Sequence, residues 1–298
     1  MSSKDQMIYE KYNIEHIPVE KFSLNPKSFH KIDFKGKKMN SYIDGPENGP
    51  KLFFIHGFNF FVEMYSTLIN ELILTYRVLS VDLPGHGHTD AFEDYSVNTF
   101  QEAIMATLDH YNFKDFTLVG HSMGGQLSIM CTGDSRFSKY NISRTVAFCP
   151  SGIKVNKTLG QKCMQSRCIS RCIYNMAFKA GMDDTEKRTG NLIPNEIYKN
   201  LLNKLTEYLL KEQMKYVDRM IAQVQEFPWE TAQKEFVSSK NKPVLVFLAT
   251  DEQYVNTQAT TKFINTECKN WALNIEKGLH ELPMLRPKWA AEQIINWK

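Results

Sequence analysis

Phe116-Thr117-Leu118-Val119-Gly120-His121-Ser122-Met123-Gly124-Gly125-Gln126-Leu127 is the stretch whose reading decides the fold. A short apolar, strand-like run enters the pattern G-x-S-x-G, and helix-forming residues follow at once. Flanking glycines let the backbone turn more sharply than side chains allow, and at a strand-to-helix junction that turn lifts a serine clear of the sheet. A serine hydroxyl is a poor nucleophile. It needs a base to take its proton and donors to receive the developing negative charge. In this context Ser122 is the candidate nucleophile, with a strand ending before it and a helix over 123–131 after it.

Outward from this turn the same alternation repeats. Apolar β-rich runs at 51–56, 77–82 and 145–148 each end in Gly, Pro or Asp, and helical spacing follows, with Met64, Leu68 and Leu72 on one face and a helix over 97–111. Strands at 243–248 and 271–275 and helices at 257–266 and 287–297 resume the pattern near the end. Strand and helix in turn predict a mostly parallel sheet with helices on both faces, and near-continuous apolar runs suit strands buried on both sides. An antiparallel hairpin is expected from 30–34 and 39–43 at the sheet edge. Between 153 and 237 the alternation stops. Ile197, Leu201, Leu205, Leu209, Val217, Ile221 and Val224 keep mostly helical spacing, and Pro194 and Asn195 stand where a helix would start. The expectation is an α/β core of residues 1–152 and 238–298 carrying a helical cap at 153–237.

The base for Ser122 is found by elimination. Seven of the eight histidines precede the serine and only His280 follows it, in Gly278-Leu279-His280-Glu281 just after the last strand. The chain order for a nucleophile in this turn is serine, acid, histidine. An acid is then expected on a loop after a strand between Ser122 and His280. The strand at 145–148 ends in Cys149-Pro150-Ser151 with no carboxylate, whereas that at 243–248 leads to Ala249-Thr250-Asp251-Glu252, where either carboxylate could serve. The oxyanion donors expected are the N–H of Met123 and that of Phe58, in the loop His56-Gly57-Phe58-Asn59. His56 reads as a brace for that loop. Asp82, His86 and His88 offer metal-ligand types, but a Gly-rich turn around an internally satisfied Asp82 is the simpler reading, and no metal is expected there.

The set His56-Gly57-Phe58, Asp82-Leu83-Pro84-Gly85-His86-Gly87, Gly120-His121-Ser122-Met123-Gly124-Gly125 and Gly278-Leu279-His280-Glu281 resembles the α/β-hydrolase superfamily from about Lys38 to the end. The likeness is nearest in flavour to carboxylesterases, monoacylglycerol lipases and lysophospholipases, and Ser122 disfavours the aspartate-nucleophile members. It implies the α/β-hydrolase fold, a serine hydrolase activity with no cofactor, and a cap that sets substrate size. Superfamily members usually show G-x-x-D-x-x-V at the acid strand. That register falls on Ala249-Thr250-Asp251-Glu252-Gln253-Tyr254-Val255, which puts the acid at Glu252 and leaves Asp251 as the alternative. The expected substrate is a small-molecule or lipid ester. A thioester, amide or C–C bond cut by the same triad, or a non-catalytic receptor or scaffold, are the competing readings.

A net charge of +3 with no clustered Lys/Arg argues against nucleic acid. The six cysteines form no CxxC pair, no His lies near Cys163, Cys168 and Cys172, and residues 1–20 carry no continuous apolar run. Free thiols in a cytoplasmic compartment are expected. Lys154, Lys157, Lys162, Arg167 and Arg171, interleaved with Ile169, Ile173, Met176 and Ala177, suit either a cap helix with a solvated basic side or peripheral contact with an anionic membrane.

Overall fold

The computed structural model describes residues 3–156, 219 and 222–297. Eight strands form one sheet: β1 (Phe29–Phe34), β2 (Lys37–Asp44), β3 (Lys51–Ile55), β4 (Arg77–Val81), β5 (Phe116–His121), β6 (Ile142–Phe148), β7 (Val244–Ala249) and β8 (Ala272–Glu276). Their order is β1-β2-β4-β3-β5-β6-β7-β8. β3 through β8 are mutually parallel, while β2 runs antiparallel to both β1 and β4. The expected mostly parallel sheet and its antiparallel edge hairpin are both present. The hairpin closes through Lys35 and Gly36, both at positive φ (50° and 73°), the two-residue turn whose twist matches that of paired strands.

The α-helices whose full ranges lie among the described residues are α1 (Ser3–Tyr12), α2 (Ser66–Leu72), α3 (Val97–His110), α4 (Met123–Gly133), α5 (Gln233–Ser238), α6 (Thr257–Glu267), α7 (Leu282–Leu285) and α8 (Pro287–Asn296). Successive strand residues point to opposite faces, and both faces are covered. Phe54, Val119, Val146 and Phe247 meet Leu68, Ile69 and Leu72 of α2 and Ala290, Ala291 and Ile294 of α8. Phe53, Leu79 and Leu118 meet Phe100, Ala103 and Ile104 of α3 and Leu127 of α4 on the other side. Val244, Val246 and Leu248 continue that second layer against Ile129 and Ile264. Every residue of β5 and of β7 is buried, as suits the unbroken apolar run of β7 and the largely apolar one of β5. Each fully buried Leu, Ile or Phe contributes about 1.5–3 kcal/mol.

Most of the expected cap lies outside the described residues, including Lys157, Arg167 and the rest of the basic stretch beyond Asn156. Its two roots are described. The Gly152 N–H donates to the Trp229 carbonyl at 2.8 Å and the Ala232 N–H donates to the Gly152 carbonyl at 2.9 Å, so the chain leaves and re-enters the core side by side. α1 was not expected. Its Ile8, Tyr9 and Tyr12 pack with Ile14 and Phe22 against Leu279 and Leu285.

β3 lies between β4 and β5, so the chain moves to one side of β3 first and to the other side afterwards. Loops leaving the carboxyl ends of β3 and β5 therefore diverge and open a crevice. The elbow after β5 sits hard against the end of β3. A Cβ on Gly124 would stand 2.2 Å from the Ile55 carbonyl oxygen and 2.4 Å from that of His56. Gly124→Ala is expected to cost about 1–3 kcal/mol or more through this overpacking. Gly36→Ala has open space around it and only positive φ to oppose it, so it should cost about 1 kcal/mol. Denaturant melts of the two variants check the difference, and equal losses would contradict the close approach.

Candidate active site

Ser122 adopts φ 56° and ψ −118°, outside the regions open to most L-residues. Such a conformation costs of order 1–3 kcal/mol and persists only where its surroundings hold it. Those surroundings are specific. The Ser122 N–H donates to the Phe148 carbonyl at 2.8 Å, and its own carbonyl accepts from Gln126 N–H at 3.0 Å and Ser151 N–H at 3.3 Å. The residue thus lies between the end of β5 and the start of α4, in the N-cap position without a side-chain capping bond, and it is half-buried.

The candidate base and the candidate acid arrive on neighbouring loops. His280 follows β8 and Glu252 follows β7, and His280 Nδ1 donates to Glu252 Oε2 at 2.8 Å. Both side chains are almost wholly shielded from solvent. Burying two charges costs several kcal/mol per ion unless hydrogen bonds compensate. Here Glu252 Oε1 accepts from the N–H groups of Tyr254 at 2.8 Å and Val255 at 3.1 Å, leaving Oε2 to the imidazole. Burial opposes ionisation of Glu252. The charge of His280, its hydrogen bond and the two backbone donors outweigh it and hold the carboxyl down at about 2. Burial likewise opposes the imidazolium of His280, but the charge and hydrogen bond of Glu252, with the charge of Glu281, raise it above its ordinary value.

The signs of these shifts set a stability window. The depressed Glu252 contributes stability that is present above the ordinary carboxyl range and is lost as pH falls toward about 2. The raised His280 contributes stability that is present below pH 6.5 and is lost as pH rises through its elevated value.

Of the two adjacent carboxylates, Glu252 is the one brought to His280. Asp251 is exposed and lies 3.5 Å from Lys11 of α1. Alternation of side-chain direction separates the neighbours, which the sequence left as alternatives. His56 is held as a brace: Nδ1 donates to the Gly57 carbonyl at 2.8 Å and Nε2 accepts from Leu83 N–H at 2.9 Å. Burial pushes it down to about 3, so it is neutral and both nitrogens are engaged. Asp82 is internally satisfied, accepting from Val62 N–H at 2.8 Å, His88 N–H at 3.0 Å and Asn40 Nδ2 at 2.9 Å. It thereby fastens the turn after β4 to the loop after β3.

That loop bends tightly. Phe60 N–H donates to the Gly57 carbonyl at 3.2 Å and Asn59 takes φ 62°. Neither this bond nor those of Asp82 use the N–H of Phe58, and the N–H of Met123 belongs to the first turn of α4, where a helix leaves its donors open. The Phe58 ring meets Trp229 edge-on at 5.0 Å, which in turn lies 4.5 Å from Phe227, so an aromatic wall rises beside the loop.

Two neighbours of the pair escaped the sequence reading. The Tyr254 ring stands edge-on to His280 at 4.9 Å. Cys149, buried at the end of β6 with φ 45°, offers a thiol within 4.8 Å of the Glu252 and His280 ligand atoms. These three are the one group of metal-ligand types converging among the described residues, and their carboxylate is already taken up by three hydrogen bonds. Burial, then the charge of Glu252, holds the Cys149 thiol well above its ordinary value. Neither neighbour carries a sequence signal.

Residues 52–292 match the sequence model described as the Alpha/beta hydrolase family. A 2-succinyl-6-hydroxy-2,4-cyclohexadiene-1-carboxylate synthase of Escherichia coli is 37% identical over 28% of this chain and 32% of its own length. The 3-oxoadipate enol-lactonase 1 of Acinetobacter baylyi is 32% identical over 30% of this chain and 34% of its own length. The chain thus spans about a third of the length of these curated relatives. A hydrolase from Pseudomonas aeruginosa superposes with a TM-score of 0.69 at 14% identity, over 92% of this chain and 100% of that one, a likeness of fold.

The His280 titration, followed by NMR of its imidazole, tests the electrostatics directly. In the wild type the midpoint should lie above 6.5. In Glu252→Gln desolvation is left without its main opponent, so the midpoint should fall below that of the wild type. Asp251→Asn should leave it unmoved. A shift in Asp251→Asn alone would reverse the assignment of the acid.

Proposed function

The chain belongs to the α/β-hydrolase family, and on that footing we propose that it is a serine hydrolase cleaving a carboxylic ester through an acyl-enzyme on Ser122. The observation that carries this reading is the buried Glu252–His280 pair, 2.8 Å apart, on loops at the same sheet edge as the elbow of Ser122.

Ser122 Oγ attacks the ester carbonyl carbon while His280 Nε2 takes its proton. The carbonyl oxygen becomes an oxyanion, received by the N–H groups of Met123 and Phe58. Collapse of the tetrahedral intermediate breaks the bond to the alcohol oxygen, and the imidazolium returns the proton to that leaving group. Water then attacks the acyl carbon as His280 takes its proton, and collapse of this second intermediate breaks the bond to Ser122 Oγ, which receives that proton from the imidazolium. Glu252 takes no proton in this cycle. It keeps the proton of the neutral imidazole on Nδ1 and stabilises the positive form. These steps use only groups of the chain and water.

An acylglycerol, a lysophospholipid or a small ester is the substrate class. The wall of Phe58, Phe227 and Trp229 beside the oxyanion loop supports an apolar acyl group there. A lactonase among the relatives supports an ester-type bond, while the synthase among them gives reason to test other bonds with the same triad. The 153–237 segment is proposed as the cap that sets acyl length, and a peripheral membrane contact through its basic stretch would fall, apart from Lys154, on residues outside those described.

A fluorophosphonate probe is expected to label the wild type on Ser122, and Ser122→Ala should abolish both labelling and ester turnover, with a loss of about 10⁴-fold or more. Labelling that is equal in Ser122→Ala would overturn the proposal. A chain-length series of p-nitrophenyl esters, run beside lysophospholipid and monoacylglycerol, then ranks the substrates. A preference for medium or long acyl chains supports the lipid assignment, and a monotonic fall from acetate contradicts it.

A further inference from the structure

Beneath the three loops of the site runs a buried hydrogen-bond chain that the steps above do not use. Tyr65 ends the short 3-10 turn Val62–Tyr65 just before α2 and is fully buried. Its hydroxyl accepts from the Gly57 N–H at 2.9 Å and lies 2.7 Å from His121 Nδ1. The other ring nitrogen of His121, Nε2, lies 2.8 Å from the main-chain carbonyl oxygen of His280.

The protons along this chain have fixed places. A carbonyl only accepts, so His121 Nε2 carries its proton and donates. Nδ1 is then a bare lone pair, and the Tyr65 hydroxyl donates to it while accepting from Gly57. Both side chains stay neutral. Burial, then the charge of His280, pushes His121 down to about 3, and burial holds the Tyr65 phenol well above its ordinary value. The groups facing His121 are the Tyr65 ring at 5.7 Å and the His280 ring at 4.7 Å. Phe54 at 4.8 Å and Phe60 at 5.9 Å pack on Tyr65, so the bonds form in a low-dielectric interior where they are strengthened. A Cβ on Gly57 would meet the Tyr65 hydroxyl at 3.0 Å and His121 Nδ1 at 3.4 Å, so the chain passes directly under the loop.

Each end of the chain is a part of the machinery. Gly57 precedes Phe58, the oxyanion donor; His121 precedes Ser122; and the last acceptor belongs to His280 itself. His280 is thereby anchored twice, by its carbonyl to His121 and by Nδ1 to Glu252. Two anchors leave the imidazole little freedom to rotate.

We propose that Tyr65 and His121 are positioning residues that hold the oxyanion loop and the base loop in register with Ser122. The proposal rests on the serine hydrolase reading. It concerns geometry in the reaction rather than affinity, since neither side chain touches substrate. Loss of registry of about 1 Å costs on the order of 100-fold in rate.

Tyr65→Phe removes a single oxygen and keeps the ring packing. It is expected to lower kcat about 10–100-fold with KM changed by less than about threefold, and to slow fluorophosphonate labelling in parallel. His121→Gln, which keeps a donor and an acceptor, should retain more activity than His121→Leu, and this pair carries the test by itself if Tyr65→Phe does not fold. The double variant Tyr65→Phe/His121→Leu should lose no more than its worse single parent, because the two act as one unit. Rates are taken per active site, titrated by the burst of p-nitrophenolate. A lowered melting temperature with unchanged kcat per site, or additive losses, would overturn the positioning role. A wild type that neither labels nor turns over ester would instead overturn the hydrolase reading, and this proposal with it.

Discussion

Two backbone segments touch at the centre of this molecule with no room for a side chain between them. Gly124, the second residue of α4, rests on the carbonyl oxygens of Ile55 and His56, where a Cβ would stand within 2.4 Å. Gly120 lies as close beneath, since a Cβ there would meet the Gly124 carbonyl oxygen at 2.2 Å. This contact joins the end of β3 to the start of α4 and leaves Ser122 between the two glycines with φ 56°. The strain at Ser122 and the direction of the loop after β3 therefore have one cause. β5 and β7, buried along their whole length, provide the stiffness against which that strain is held.

The remaining parts are fastened to this centre by short, directed hydrogen bonds. Asp82 ties the loop after β3 to the turn after β4, and His56 ties the same two segments from the other side. The charged members of the site depend on each other. Glu252 stays ionised through bonds from His280, Tyr254 and Val255, although burial opposes it. His280 is held above its ordinary value by that same carboxylate, with the carboxylate of Glu281 beside it. Removing one partner of such a buried pair costs about 3–5 kcal/mol, because the other charge is left alone.

Much of this was legible in the sequence, and the parts that were not have physical reasons. The strands at the sheet centre announce themselves because both faces are apolar. β6 begins at Ile142, earlier than its apolar run at 145–148, since Ser143 and Arg144 extend it with polar side chains that bond to Phe116 and Thr117 of β5. α1 was hidden because charges appear through every turn of its sequence; its order comes from docking on Leu279 and Leu285, a tertiary effect. Glu15 shows the same thing, since its carboxylate accepts from Lys288 N–H and Trp289 N–H at the start of α8, 273 and 274 residues away in sequence. Ser122 and His280 could be named from motif and chain order. The choice between Asp251 and Glu252 depends on which way two consecutive side chains point, which composition does not encode. Tyr65 carried no signal, and His121 stood in the motif only as an unspecified residue until its two hydrogen bonds were seen.

A covalent acyl group on Ser122 would be read most directly by mass analysis of the quenched reaction. The protein is mixed with p-nitrophenyl acetate, quenched in acid within the first turnover, and digested. A burst of p-nitrophenolate equal to the enzyme concentration and an added acetyl mass on the peptide containing Ser122 are expected. Linear release with no adduct, or an adduct on another residue with turnover retained in Ser122→Ala, would contradict it.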